Sequence, residues 1–113
     1  MKLSEIVRKL ELDVMCGEGN LDCQVKRGYV SDLMSDVLAN AREGDLWITL
    51  QVHQNVVAVA GMKEIAAVVL IGGRLPEEQT LEKAKREDIP ILSSELPAFE
   101  LVGKLYELGV PGL

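Results

Sequence analysis

The chain is predicted to be an α/β domain with a mostly parallel central sheet, preceded by an N-terminal strand pair. Three observations predict this. Apolar runs at 46–50, 67–71 and 89–92 are short enough for strands and read as buried ones. Each run stops at a polar or glycine cluster, and a helix-compatible stretch follows each cluster. The gap from His53 to Glu64 supplies the dozen or so residues that a crossover between parallel strands requires.

The elements follow in order. Ser4 is placed to cap a short helix carrying Ile6, Val7 and Leu10 on one side. Residues 12–15 alternate as a strand, Gly17, Glu18, Gly19 and Asn20 are turn chemistry, and residues 23–29 form the second strand of the pair. Ser31 and Asp32 open the clearest helix, with Leu33, Met34, Val37, Leu38 and Ala41 on one stripe and Gly44 as its stop. Asp45 precedes the first buried strand. Residues 56–60 are valine-rich, yet the crossover length makes them a short buried helix capped by Asn55. Pro76 sits in the first turn of the next helix. That helix has a narrow apolar side at Thr80, Leu81 and Ala84 and a charged solvated side. The last helix starts near Pro97 and shows Ala98, Phe99, Val102, Leu105 and Tyr106 on its main face, with Leu101 and Leu108 widening it. Gly109 ends it. Gly103 lies inside it, which close packing of another element would compensate.

The 113 residues make one domain, 1–113. Hydrophobic residues are 48% and aromatics only 4%, so the core is aliphatic. The net charge of −6 gives no electrostatic footprint for a nucleic acid or an anionic membrane surface. Residues 56–71 are strongly apolar, but Lys63 and Glu64 divide them and the stretch falls short of the ~20 residues of a membrane span. No apolar leader follows Lys2, so a cytoplasmic setting is expected, with Cys16 and Cys23 as free thiols that face each other across two strands.

In an open α/β sheet a ligand binds beyond the carboxyl ends of the strands. That singles out Gln51, His53 and Asn55 after the first run, Gly72, Gly73 and Arg74 after the second, and Ser93 and Ser94 after the third. Gly72-Gly73-Arg74 either admits an anion against backbone N–H groups or simply makes a tight turn. Ser93 and Ser94 are helix-entry caps or ligand hydroxyls. His53 is the only histidine and has no evident orienting partner or nucleophile, so a hydrogen-bonded loop role precedes any catalytic one. No catalytic residue, metal set or cofactor motif is assigned. The Cys16–Cys23 spacing matches no zinc pattern, and the phosphate-loop pattern Gly-x-x-x-x-Gly-Lys-Ser/Thr is absent.

The run Gly28-Tyr29-Val30-Ser31-Asp32-Leu33-Met34-Ser35-Asp36-Val37, then Glu43-Gly44-Asp45-Leu46-Trp47-Ile48-Thr49, resembles the DRTGG domain family. So do Leu70-Ile71-Gly72-Gly73 and Pro90-Ile91-Leu92-Ser93-Ser94. The resemblance implies a three-layer α/β/α sandwich, similar to the N-terminal domain of HPr kinase/phosphorylase, and a regulatory role. Relatives sit within phosphate acetyltransferases and within pyrophosphatases that carry nucleotide-sensing domains, where they help dimerisation. Free-standing relatives carry a "serine kinase" label, and some are associated with iron-hydrogenase gene clusters. This chain lacks the Asp-Arg-Thr-Gly-Gly run and reads Gln51-Val52-His53 where other members place Gly-Asp-Arg. The missing phosphate loop argues against kinase activity.

The resulting expectation is a non-enzymatic, homodimeric, ligand-sensing or oligomerisation domain that takes a small anionic or nucleotide-like ligand. The alternatives are a pure protein-interaction module for a metabolic enzyme or an iron-hydrogenase-associated protein, and a small enzyme using His53.

Overall fold

A computed structural model describes all residues, 1–113. The order is α1 (Leu3–Leu10), β1 (Asp13–Cys16), β2 (Arg27–Val30), α2 (Met34–Asn40), β3 (Asp45–Thr49), α3 (Asn55–Met62), β4 (Ala67–Leu70), α4 (Glu78–Arg86), β5 (Ile91–Ser93) and α5 (Ala98–Glu107). One 3₁₀ turn, Glu18–Asn20, lies between β1 and β2. The sheet order is β1-β5-β4-β3-β2, with β2 to β5 parallel and β1 antiparallel to β5.

Every residue of β3, β4 and β5 is buried, which explains their unbroken apolar runs: a strand covered on both faces has no solvent side to mark. The winding decides what covers them. Strands β2, β3, β4 and β5 are laid down side by side in chain order. Right-handed crossovers moving in one direction put every connecting helix on one face. Val37 of α2, Val56 and Val57 of α3 and Ala84 of α4 accordingly pack with Trp47, Val68, Leu70 and Ile91. The other face falls to the two chain ends, where Leu3 and Ile6 of α1 and Leu101 and Leu105 of α5 pack with Leu46, Ile48, Val69 and Leu92. The layering is the expected sandwich.

The N-terminal strand pair does not form. β1 and β2 occupy opposite edges of the sheet: β1 adds antiparallel to β5, with Asp13 opposite Ser93, and β2 adds parallel to β3. The second strand is also shorter than expected, Arg27–Val30. Cys16 and Cys23 therefore do not face each other. Cys16 lies in the α2–α4 layer and donates to the Ile89 carbonyl at 3.3 Å, whereas Cys23 packs on the α1–α5 layer. Both are free, and burial pushes both thiols up.

Several helix starts differ from expectation. Ser4 does not cap α1; its N-cap is Lys2, without a side-chain bond. α2 begins at Met34, since Asp32 reaches back to the β3 end and Ser31 Oγ accepts from the Leu33 N–H. Asn55 is the first residue of α3 rather than its cap, and Pro76 precedes α4, whose N-cap is Glu77. On α5 the packed residues are Leu101 and Leu105, while Phe99 is 87% and Tyr106 61% exposed. A Cβ at Gly103 would meet nothing within 4 Å, so no element packs closely there.

One buried polar feature ties β2 to β3. Arg27 donates through Nε to Asp45 Oδ1 at 2.9 Å and through Nη2 to Asp45 Oδ2 at 2.6 Å, and the Arg42 N–H adds a third bond to Asp45 at 2.7 Å. Hydrogen bonds from Ser31, Tyr29 and Asn40 hold the Asp36 carboxyl below the usual carboxylate range.

Candidate functional site

The four parallel strands end on one edge, so the loops after β2, β3, β4 and β5 gather there. The chain leaves β4 toward α4 on one face and leaves β5 toward α5 on the other. Neighbouring strands whose connections diverge in this way open a crevice between them. Here that crevice lies between Gly72-Gly73-Arg74 and Ser93-Ser94. These five candidate residues are brought together. Gln51, His53 and Asn55 belong to the next loop along, whose Val52 carbonyl accepts from the Glu77 N–H at 3.1 Å and from Thr80 Oγ1 at 2.7 Å.

Much of the crevice is already stitched shut. The Gly72 N–H donates to the Leu96 carbonyl at 2.9 Å and the Gly73 N–H to the Ser94 carbonyl at 2.8 Å. Those two donors are the ones a phosphate would need. Both glycines are left-handed, with φ of 66° and 72°, so the turn itself requires them. Ser93 Oγ donates to the Arg74 carbonyl at 2.8 Å. Ser94 Oγ accepts from the Leu96 N–H at 3.1 Å, and its own proton goes to no protein acceptor.

The β3 loop is held in the same manner. Asp32 Oδ1 accepts from Thr49 Oγ1 and from the Leu50 N–H, both at 2.7 Å, and Gln51 Nε2 donates to the Asp32 carbonyl at 3.0 Å. Asp32 and Thr49 organise this edge, and the alternation of the strands did not single them out. His53, Asn55 and Arg74 are exposed and their side chains make no hydrogen bond within the protein. His53 thus has no orienting partner. Trp47 is wholly buried, and its Nε1 donates to the Ser31 carbonyl at 2.8 Å, which links it to the loop after β2.

Three hollows mark the surface. One of about 550 Å³ lies at the opposite edge, at the amino ends of the strands, with Asp22, Glu43, Glu64 and Asp88 against a single Lys26. Its charge is wrong for an anion, and Lys26 is already paired with Glu43 at 3.2 Å. A second, of about 340 Å³, adjoins the β4/β5 crevice on the α1–α5 side and is lined by Ser94, Glu95, Glu11, Asp13, Lys9 and Lys104 among others. The two lysines come from helices at opposite ends of the chain, and sequence spacing carries no signal for their meeting. The third, about 170 Å³, is an apolar groove between β2 and α5. No helix is long and apolar enough to cross a membrane.

No curated protein matches the chain. A solved structure of the CBS and DRTGG domains of the regulatory region of Clostridium perfringens pyrophosphatase, complexed with its activator diadenosine tetraphosphate, superposes with a TM-score of 0.71 at 17% identity. The match covers 97% of this chain and 47% of that one, so the chain spans about half the length of that regulatory region and shares its fold over that part. The family model for the DRTGG domain matches residues 5–108, and the chain belongs to that family.

Proposed function

We propose that the chain is a non-enzymatic regulatory domain of the cytoplasm that senses a small anionic or nucleotide-like ligand at the carboxyl edge of its sheet. The observation that carries this reading is the divergence of the β4 and β5 connections, which puts Gly72, Gly73, Arg74, Ser93 and Ser94 around one crevice. The exposed side chains of Arg74, His53 and Asn55 are unengaged on the same edge. The similar pyrophosphatase region is regulatory and holds a nucleotide activator, which supports the ligand class. Trp47 reports on the edge through its bond to Ser31. AMP, ADP, inorganic phosphate and acetyl phosphate at millimolar concentration are the panel. A binder at ten times its Kd stabilises by about 1.4 kcal/mol, raising Tm by about 5–10 °C and shifting Trp47 emission. No response to any of the four rejects the sensing role and leaves a module that acts through protein contacts alone.

A second reading, that the domain works as a homodimer, rests on the apolar side chains left outside. Phe99 is 87% exposed, Leu33 64%, Tyr106 61% and Val30 49%, and the groove between β2 and α5 has Val30 and Tyr106 in its lining. Apolar side chains exposed together are one mark of a surface that meets a partner. Light scattering is expected to give about twice the 12.4 kDa of one chain; a mass of one chain rejects the dimer.

A further inference from the structure

We infer that the ligand sits not over the glycine turn but in the adjoining 340 Å³ hollow, held by Lys9, Lys104 and Ser94, and that it is a phosphorylated small molecule no larger than a mononucleotide. This rests on the sensing role proposed above and assigns its place and chemistry.

The glycine turn has no backbone donors to offer, because the N–H groups of Gly72 and Gly73 are both bonded within the protein, and only the exposed Arg74 side chain is free there. The hollow does have them. Lys9 lies in the last turn of α1 and Lys104 in α5, both exposed and neither in an ion pair, since the only pairs in the molecule are Lys26–Glu43 and Arg27–Asp45. Ser94 is only 5% exposed, lines the same hollow, and has its hydroxyl proton unclaimed. Two ammonium groups and one buried hydroxyl donor are the equipment for an anionic oxygen cluster.

The remaining charges narrow the ligand. Glu11, Asp13 and Glu95 line the hollow and are also free of ion pairs. Three carboxylates repel a bare phosphate, and two ammonium groups repel a bare cation. A molecule with a phosphate at one end and hydroxyl or amine donors at the other satisfies both sets. The volume lies at the small end of the ~300–1,000 Å³ typical of ligand pockets. One phosphorylated sugar or nucleoside suits it, and a dinucleotide does not.

The experiment follows backbone amide shifts of the full chain on titration with AMP, ribose 5-phosphate and inorganic phosphate. Perturbations are expected at residues 9–13, 94–96 and 104. Lys9→Gln and Lys104→Gln, at exposed positions, should keep the native spectrum, weaken AMP binding about threefold each, and weaken it about tenfold together. Inorganic phosphate should bind at least tenfold more weakly than AMP. Shifts confined to residues 51–55 and 72–74, or unchanged affinity in the double variant, overturn this placement and leave the sensing role standing. Equal affinity for phosphate and AMP overturns the ligand class. Binding of none of the three overturns the placement and the sensing role together.

Discussion

Asp45→Ala will destabilise the domain by about 3–5 kcal/mol, measured by urea denaturation. Asp45 is completely buried and accepts three hydrogen bonds, two from Arg27 and one from the Arg42 N–H. Its removal leaves the guanidinium of Arg27, a residue only 8% exposed, beside no counter-charge. Domains of this size have about 5–15 kcal/mol in total, so the variant will sit at the edge of unfolding. The double variant Arg27→Met with Asp45→Leu should recover most of the loss, because it removes the stranded charge along with its partner. A loss below about 1 kcal/mol in Asp45→Ala would mean that the pair is hydrated and that β2 is held by its strand ladder alone.

Gly17→Ala comes second. Gly17 has φ of +87°, and a Cβ there would lie 2.5 Å from Pro90 Cα and 2.8 Å from Pro90 N. Those are backbone atoms of the residue leading into β5, so nothing flexible can move aside. The strained φ and the overlap together should cost about 3 kcal/mol or more. Gly72→Ala is the internal control. Its φ is +66° with nothing within 4 Å, so only the conformational strain of about 1–2 kcal/mol applies. Thermal melts of the two variants separate the effects; equal losses would show that the Pro90 contact relaxes.

The parts of the fold legible in the sequence were those in which burial leaves a one-dimensional trace. β3, β4 and β5 are covered on both faces, and their apolar runs say so. α3 could be read through its valines because no shorter connection joins parallel neighbours. What depended on pairing across distance was not legible. β1 and β2 are neighbours along the chain, and a hairpin was the natural reading, yet Asp13 pairs with Ser93 and Arg27 with Asp45. The Arg27–Asp45 bond has meaning only once the parallel register sets the two residues side by side. On α5 the apolar stripe is too wide for the sequence to say which part faces the sheet, and the packing buries Leu101 and Leu105 and turns Phe99 and Tyr106 outward.

The candidate site divides along the same line. The loops were found because they follow strands. Whether their donors were free could not be found that way, because the Gly72 and Gly73 partners, Leu96 and Ser94, belong to another loop. Lys9 and Lys104 leave no trace in the sequence for a related reason: nothing along the chain relates the end of α1 to the end of α5.

The winding of the sheet also sets an order of assembly. Strands β2 to β5 and their three helices can form in sequence as the chain emerges, each unit docking on the one before. β1 cannot. Its strand partner is β5. Asp13–Cys16 must therefore wait as an unpaired strand until the chain has run as far as β5, while α1 is already tied to the residues after β1 through the Lys2–Gln24 bridge. Closing that long loop is the slow, non-local step. A sheet without β1 and α5 exposes the bare edge of β5 and the part of the apolar face that α5 covers, which is the kind of surface through which partly folded chains associate.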